Sequence, residues 1–266
     1  MRRSPTGRQV LRSRGHVRPL LTIPEAAADV NKGGSNHMND LAVIETVLRN
    51  RYHFFIEIRD GLKLQDKMRA MLLSSTLFLA LYGAVMGSTH SLWQALSSAV
   101  KLPVLFLATL IVCSPTLYFF NVLFGSNQSL TQNVALILTA ISVTSVLLLS
   151  FAPIVLFFLL TTSGYQFFKL LNVGIFAVSG WMGVLFLSQG MQIVAAAGKE
   201  GQSARRIVMW LWVVVYGFVG SQMAWTLRPF IGAPSMKFEL FRQLGGNFYS
   251  NLFASIGELL GFFVVR

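Results

Sequence analysis

Residues 134–161 read VALILTAISVTSVLLLSFAPIVLFFLLT and contain no charged side chain. A helix that crosses a membrane needs about 20 consecutive apolar residues, and this stretch exceeds that length. Outward from it, no residue between Asp66 and Glu200 carries a carboxylate. A surface of that length exposed to water would need acidic side chains, whereas a surface exposed to lipid must avoid them. The stretch therefore predicts a membrane protein rather than a soluble domain.

Four more apolar stretches of similar length flank this one. The chain has 54% hydrophobic and 12% charged residues, with a mean hydropathy of +0.60, and soluble domains carry about twice that charge. We predict an all-α polytopic transmembrane bundle of about five spans, with an amphipathic helix before it and an interfacial helix after it. The predicted spans are 70–88, 102–124, 134–161, 170–197 and 207–227.

Basic residues are concentrated before the first span. The net charge is +12, and 13 of the 22 Lys and Arg residues lie at or before Arg69. Outer loops would then hold only Lys101 and Lys169, so the positive-inside rule predicts a cytoplasmic N-terminus. The same distribution favours anionic lipid headgroups as a partner over nucleic acid, which would leave the apolar remainder unexplained.

The segment before the spans divides at Met38. Residues 1–37 are poor in apolar side chains and rich in arginine, which predicts a disordered basic arm. An arginine-rich, acid-poor start also resembles a transit peptide, and codons for Lys32 to Gly34 can spell a ribosome-binding site. Met38 is therefore a candidate native start.

Residues 38–68 follow a helical pattern of apolar residues, interrupted by Gly61, and form the predicted amphipathic cytoplasmic or interfacial helix. Its apolar stripe is equally suited to the membrane interface and to the protein's own cytoplasmic face. Residues 69–266 form the predicted transmembrane domain. Its apolar tail, 252–265, is too short to cross, which favours an interfacial or re-entrant helix over a sixth span.

The inventory of reactive side chains argues against an enzyme. Cys113 is the single cysteine, and His90 is the one histidine beyond the N-terminal region. The spans hold neither a carboxylate pair nor a His-x-x-x-His pattern. We therefore predict no catalytic residue, no metal site and no cofactor.

The end of the fifth span holds the densest local signal, QMAWTLRPFIGAP at 222–234. Trp225 suits the headgroup level, Arg228 can reach lipid phosphates, and proline and glycine turn the chain off the helix. We predict Trp225, Arg228, Pro229 and Phe230 as partner or lipid contacts. A purely structural exit from the membrane also explains the pattern. On the cytoplasmic side, the predicted lipid or partner contacts are Arg49, Arg51 and Arg59.

Pro115 and Pro153 lie inside spans two and three, and each precedes a Phe pair at the same offset. Two bent helices in matching positions can frame a transport path, although such bends also merely shape a bundle. The candidate path residues are Pro115, Pro153, Asn121, Gln189 and Gln222. Gly83-x-x-x-Gly87 in span one permits close helix approach.

Several stretches together resemble a group of uncharacterised bacterial multi-pass inner-membrane proteins. They are Leu81-Tyr82-Gly83-Ala84 with Gly87, residues 101–109 (KLPVLFLAT), residues 222–234, and residues 238–242 (FELFR). The resemblance covers about Met38 to Tyr249 and implies a bacterial inner (cytoplasmic) membrane. A basic arm followed by five spans is also similar, in architecture only, to the Ypt-interacting-protein family of membrane traffic. That similarity implies a membrane adaptor without catalytic residues.

These observations lead to one function and one alternative. We expect a non-catalytic scaffold or subunit of a bacterial inner-membrane assembly, with protein partners or self-association in the membrane. The alternative is a small channel or transporter for a neutral or anionic solute, built around the bent spans two and three. A polar cavity between those spans would favour transport.

Overall fold

The computed structural model describes residues 40–88, 91–123, 128–162, 164–194, 202–232, 240–241 and 246–260. Within these ranges the chain forms eight α-helices and no β-strand, so the all-α prediction is confirmed. In chain order the helices are α1 (Asp40–Arg49), α2 (Arg51–Arg59), α3 (Leu64–Gly87), α4 (Leu92–Leu123), α5 (Leu130–Thr161), α6 (Tyr165–Val194), α7 (Gln202–Leu227) and α8 (Phe248–Leu259). The predictions for residues 1–37, a disordered arm or a start at Met38, and His90 lie outside the described residues.

Five of these helices are long and apolar enough to cross a bilayer. They are α3, α4, α5, α6 and the apolar part of α7, Arg206–Leu227, with 24, 32, 32, 30 and 22 residues. At a rise of about 1.5 Å per residue even the shortest exceeds the ~30 Å hydrocarbon core. The prediction of a multi-pass membrane protein is therefore confirmed.

All five long helices begin four to ten residues before the predicted span starts, and in two of them the difference moves a lysine from a loop into a helix. Helix α4 begins at Leu92, ten residues before the predicted position 102, and it contains Pro103 as well as Pro115. Helix α6 begins at Tyr165 rather than at 170. Lys101 and Lys169 consequently lie inside helices and not in loops, because each ammonium group has acceptors elsewhere in the chain.

The amphipathic segment before the spans is two helices rather than one. Helix α1 ends at Arg49, Asn50 leaves the helical conformation with φ −128° and ψ 51°, and α2 follows. The chain then turns through Gly61, whose φ of +71° is readily adopted only by glycine. The apolar residues of both helices are buried against α3, α5 and α6: Val43, Ile44, Val47, Phe54, Phe55 and Ile58. The apolar stripe therefore packs on the protein's own helices, which is one of the two surroundings that the sequence allows.

The long helices pack in a simple order. Helices α3, α4 and α5 contact one another, α6 packs on α5, and α7 packs on α4. Helices α1 and α2 cover one end of α3, α5 and α6, which we call the α1–α2 end. Helix α8 contacts α6 and α7 at the other end, which we call the α8 end.

Helix α8 presents its polar side to the protein and its apolar side outward. Gln166 Nε2 donates to Glu258 Oε2 at 2.8 Å, and Lys169 Nζ donates to Asn251 Oδ1 at 2.9 Å. On the outward side, Phe253 is 70% exposed. Water would disfavour that arrangement and lipid favours it. With 12 residues, or about 18 Å, α8 is too short to span, so the described residues fit an interfacial helix.

Candidate functional site

Three polar side chains of α4 converge on the non-helical segment that follows α7. Gln94 Nε2 donates to the Pro229 carbonyl at 2.9 Å, and Ser98 Oγ donates to the Phe230 carbonyl at 2.6 Å. Lys101 Nζ donates to the Pro229 carbonyl at 3.3 Å. The spacing of four and three residues places all three donors on one face of α4. We call Gln94, Ser98 and Lys101 the α4 clamp.

The α4 clamp is almost completely inaccessible to water. Gln94 is 1% exposed, Ser98 0% and Lys101 5%. Carbonyl groups outside a helix have no partner in a lipid environment unless the protein supplies one, and each unpaired group is costly there. The α4 clamp supplies these partners for residues 229 and 230, so it holds the turn in one conformation.

Lys101 also contacts a second segment, residues 240–241. Its ammonium group also donates to the Leu240 carbonyl, and it lies 4.9 Å from the centre of the Phe241 ring. Carbonyl oxygens and an aromatic face both attract a cation. Lys101 therefore joins residues 240–241 to the turn at 229–230, at the α8 end of the bundle.

Trp225 and Arg228, both predicted as contact residues, interact with each other. The Arg228 guanidinium lies 3.5 Å from the centre of the Trp225 ring, and both side chains are half-buried. Trp225 Nε1 donates to the Gly246 carbonyl at 3.2 Å. The Arg228–Pro229 peptide bond is cis. Of the four predicted contact residues at this end, Pro229 is buried and Phe230 is half-buried.

Two glycines of α3 set the position of the α4 clamp. A Cβ atom at Gly83 would lie 2.4 Å from the Ser98 carbonyl oxygen, and one at Gly87 would lie 2.5 Å from the Gln94 carbonyl oxygen. No side chain larger than hydrogen fits at such an approach between helices. The backbone of α4 is thus pressed against α3 at the two residues whose side chains hold the Pro229–Phe230 carbonyls.

The basic residues predicted as lipid or partner contacts lie at the opposite end. Arg49 Nη1 is 3.2 Å from Glu45 Oε1, and Arg59 Nε is 2.9 Å from Asp60 Oδ1. Arg51, at the start of α2, is exposed. These residues therefore form no common site with Trp225 and Arg228.

The candidate path residues are not brought together. Pro115 and Pro153 are exposed on outward faces, as are Phe119 and Phe157, at 63% and 59%. The Cys113 carbonyl, two residues before Pro115, accepts from Trp212 Nε1 at 3.0 Å, so α7 attaches where the proline interrupts α4.

The polar candidates are likewise dispersed. Asn121 Nδ2 donates to Asn133 Oδ1 at 3.1 Å near the α1–α2 end, whereas Gln189 and Gln222 are half-buried elsewhere. Between α3 and α5, the hydroxyls of Ser75 and Ser142 are 2.8 Å apart and both residues are 0% exposed. Water therefore does not reach this polar contact.

The α4 clamp is the part of the site that sequence reasoning missed. Lys101 was assigned to a loop, and Gln94 and Ser98 were not singled out. A signal was nevertheless present, because polar residues at i, i+4 and i+7 lie on one face of a helix. The sequence holds no indication of what that face meets, since its partners lie 128 to 135 residues away.

Comparison with known proteins adds no further constraint on the site. The resemblance to bacterial inner-membrane proteins stays a prediction. No family model, no curated protein and no solved structure matches this chain.

Proposed function

We propose that this chain is a non-catalytic scaffold or subunit of a membrane assembly, and that the turn at residues 228–232 docks a protein partner. The observation that carries the proposal is the convergence of Gln94, Ser98 and Lys101 on the carbonyls of Pro229 and Phe230. Buried polar and ionisable groups are rare in membrane helices and mark functional positions by default.

Rigidity is what a docking element requires. A turn held in one conformation loses little conformational entropy when a partner binds, so more of the contact energy appears as affinity. The stacked Trp225–Arg228 pair adds an aromatic ring and a guanidinium, the groups that are enriched at interface hot spots. Thr226, next to them, is exposed and available to a neighbour.

Transport receives less support from the same contacts. The two prolines face outward, and the buried hydroxyls between α3 and α5 are inaccessible to water. A solute path needs polar groups that border a space, and the residues named for it border none in common. The scaffold is therefore the function that we propose.

Photo-crosslinking in native membranes tests the docking turn. A benzophenone amino acid at position 226 should give an adduct of defined mass, whereas one at position 160 should not. Leu160 is a matched control, because it is 85% exposed and lies in the last turn of α5, at the same end of the bundle. The double variant Gln94→Leu/Ser98→Ala should reduce the adduct at 226 several-fold at unchanged membrane levels. Equal adducts at both positions, or an adduct indifferent to the double variant, would refute the docking role.

In this proposal the α1–α2 end faces the cytoplasm of a bacterial cell. The two short loops at the α8 end, 88–91 and 162–164, contain no Lys or Arg, and the segment between α7 and α8 contains three, Arg228, Lys237 and Arg242, against 13 at or before Arg69. The positive-inside rule therefore favours this orientation, and the three cations after α7 count against it. In a Cys113→Ala background, an impermeant maleimide should label Leu160→Cys in cells with a permeabilised outer membrane. Tyr52→Cys should react only after lysis. The reverse pattern of labelling would invert the orientation.

A further inference from the structure

Most carboxylates at the α1–α2 end are engaged in ion pairs within the chain. Glu45 pairs with Arg49, and Asp60 pairs with Arg59. Glu57 accepts from the buried ammonium of Lys67. The carboxylate of Asp60 also raises the pKa of the Arg59 guanidinium above its ordinary value. Paired cations of this kind have little remaining attraction for an external anion, because the neighbouring carboxylate cancels their field.

Four other cations at this end have no such partner among the described side chains. Arg51, Lys63, Arg69 and Arg206 are exposed, and within the described ranges none of their four side chains makes an ion pair or a hydrogen bond. Asp66 is the acidic residue without an ion-pair partner among the described side chains of this end, and it lies in the first turn of α3. A carboxylate there is stabilised by the N-terminal end of the helix dipole.

The four cations flank the apolar stretches of the chain. Arg69 directly precedes Ala70, the start of the predicted apolar span, and Arg206 directly precedes Ile207. Arg51 begins α2 and Lys63 directly precedes α3, so both come before the first apolar stretch of the chain. Cations just outside a span are attracted to anionic phospholipid, each by roughly fivefold at low salt.

We infer that Arg51, Lys63, Arg69 and Arg206 together form a contact surface for anionic phospholipid headgroups, to which the ion-paired Arg49 and Arg59 do not contribute. The inference revises the sequence prediction, which named Arg49, Arg51 and Arg59 together. The surface lies at the opposite end from the α4 clamp. The inference therefore does not depend on whether the turn at 228–232 docks a partner.

Lipid selectivity in reconstituted vesicles tests the surface. The measurement is the association of spin-labelled phosphatidylglycerol relative to spin-labelled phosphatidylcholine with the full-length chain. The first variant neutralises the unpaired cations: Arg51→Gln, Lys63→Gln, Arg69→Gln and Arg206→Gln. The matched variant also has four substitutions but removes two ion pairs without changing net charge: Glu45→Gln, Arg49→Gln, Arg59→Gln and Asp60→Asn.

We expect the first variant to lower the preference for phosphatidylglycerol at least twofold, towards parity with phosphatidylcholine. The matched variant should keep the preference of the unmodified chain. Equal losses in both variants, or no loss in either, would overturn the inference. If the first variant does not insert, the unmodified chain answers the question: raising salt to about 0.5 M should abolish the preference, since exposed charges are screened. A preference that survives that salt would also overturn it.

Discussion

Replacing Gly83 with alanine tests the contact between α3 and α4 that positions the α4 clamp. The new Cβ would lie 2.4 Å from the Ser98 carbonyl oxygen, 2.9 Å from its carbonyl carbon and 3.2 Å from the Ala99 Cα. All three atoms belong to the backbone, so no side-chain rotation relieves the overlap. Ordinary contact begins at 3.4 Å, so the two helices must separate by about 1 Å, 3.4 minus 2.4.

A second glycine supplies the control. Gly180, in α6, has no heavy atom within 4 Å of the position that a Cβ would take. Alanine gains about 0.5–1 kcal/mol over glycine in a helix interior, and that gain is common to both variants. Overpacking costs about 1–3 kcal/mol and applies to Gly83→Ala alone. The two variants should therefore differ in stability by about 1–3 kcal/mol.

The chain contains its own reporter of unfolding. Cys113 is the single cysteine and is 3% exposed, so a thiol-reactive dye becomes fluorescent when heating opens the bundle. For a chain of this size each kcal/mol shifts the midpoint by roughly 2–4 °C. Gly83→Ala should melt several degrees below Gly180→Ala in the same detergent. If Gly83→Ala melts at or above Gly180→Ala, the close approach of α3 and α4 is not what positions the clamp.

Three further substitutions follow from single contacts and use the same melting measurement. Ser98→Ala removes the hydroxyl that binds the turn after α7 and should cost about 0.5–1.5 kcal/mol, with faster proteolysis of that turn. Trp212→Phe removes the indole donor to α4 and should cost a similar amount. Trp181→Phe, at an exposed residue, should leave the melting temperature unchanged. Equal shifts of the melting temperature in the two variants would contradict the hydrogen bond. Phe55→Ala removes a buried ring and should cost about 3–5 kcal/mol, whereas Tyr52→Ala, at an exposed residue, should change stability by no more than about 0.5 kcal/mol. Equal small effects would mean that α2 is not docked on α5 and α6.

The spans were predictable because their signal is local. A run of apolar residues long enough for the hydrocarbon core identifies a crossing helix whatever its neighbours are. The third span was placed within four residues at its start, since α5 begins at Leu130 and the prediction at Val134. Ser129 and Gln132 form a capping box there, a local pattern that would have placed the start exactly at the observed residue.

The second span was wrong by ten residues for a non-local reason. Lys101 and Pro103 are ordinary signs of a span boundary, and nothing nearby in the sequence contradicts that interpretation. The Lys101 ammonium group can be buried because the carbonyls of residues 229 and 240 accept its hydrogen bonds. Those acceptors exist only after the distant segment has folded onto α4.

What buries the amphipathic segment, residues 38–68, was also not predictable from the nearby sequence. A helical stripe of apolar residues requires burial but does not specify by what, since lipid and protein are both apolar. The structure decides the question through shape. The Phe55 ring lies 2.5 Å from where a Cβ of Gly190 would be, so the absence of a side chain there gives the ring its place against α6.

By itself the sequence determined the helical class, the five spans, the absence of a carboxylate between Asp66 and Glu200, and the excess of cations before the first span. These properties depend on hydrophobicity summed along short stretches, which no tertiary contact can change. Only the tertiary structure decided which polar residues of distant segments meet, above all that the α4 clamp holds the turn at 228–232. Such pairings depend on which helix faces are brought together, and a hydrogen bond between residues more than a hundred positions apart leaves no local pattern.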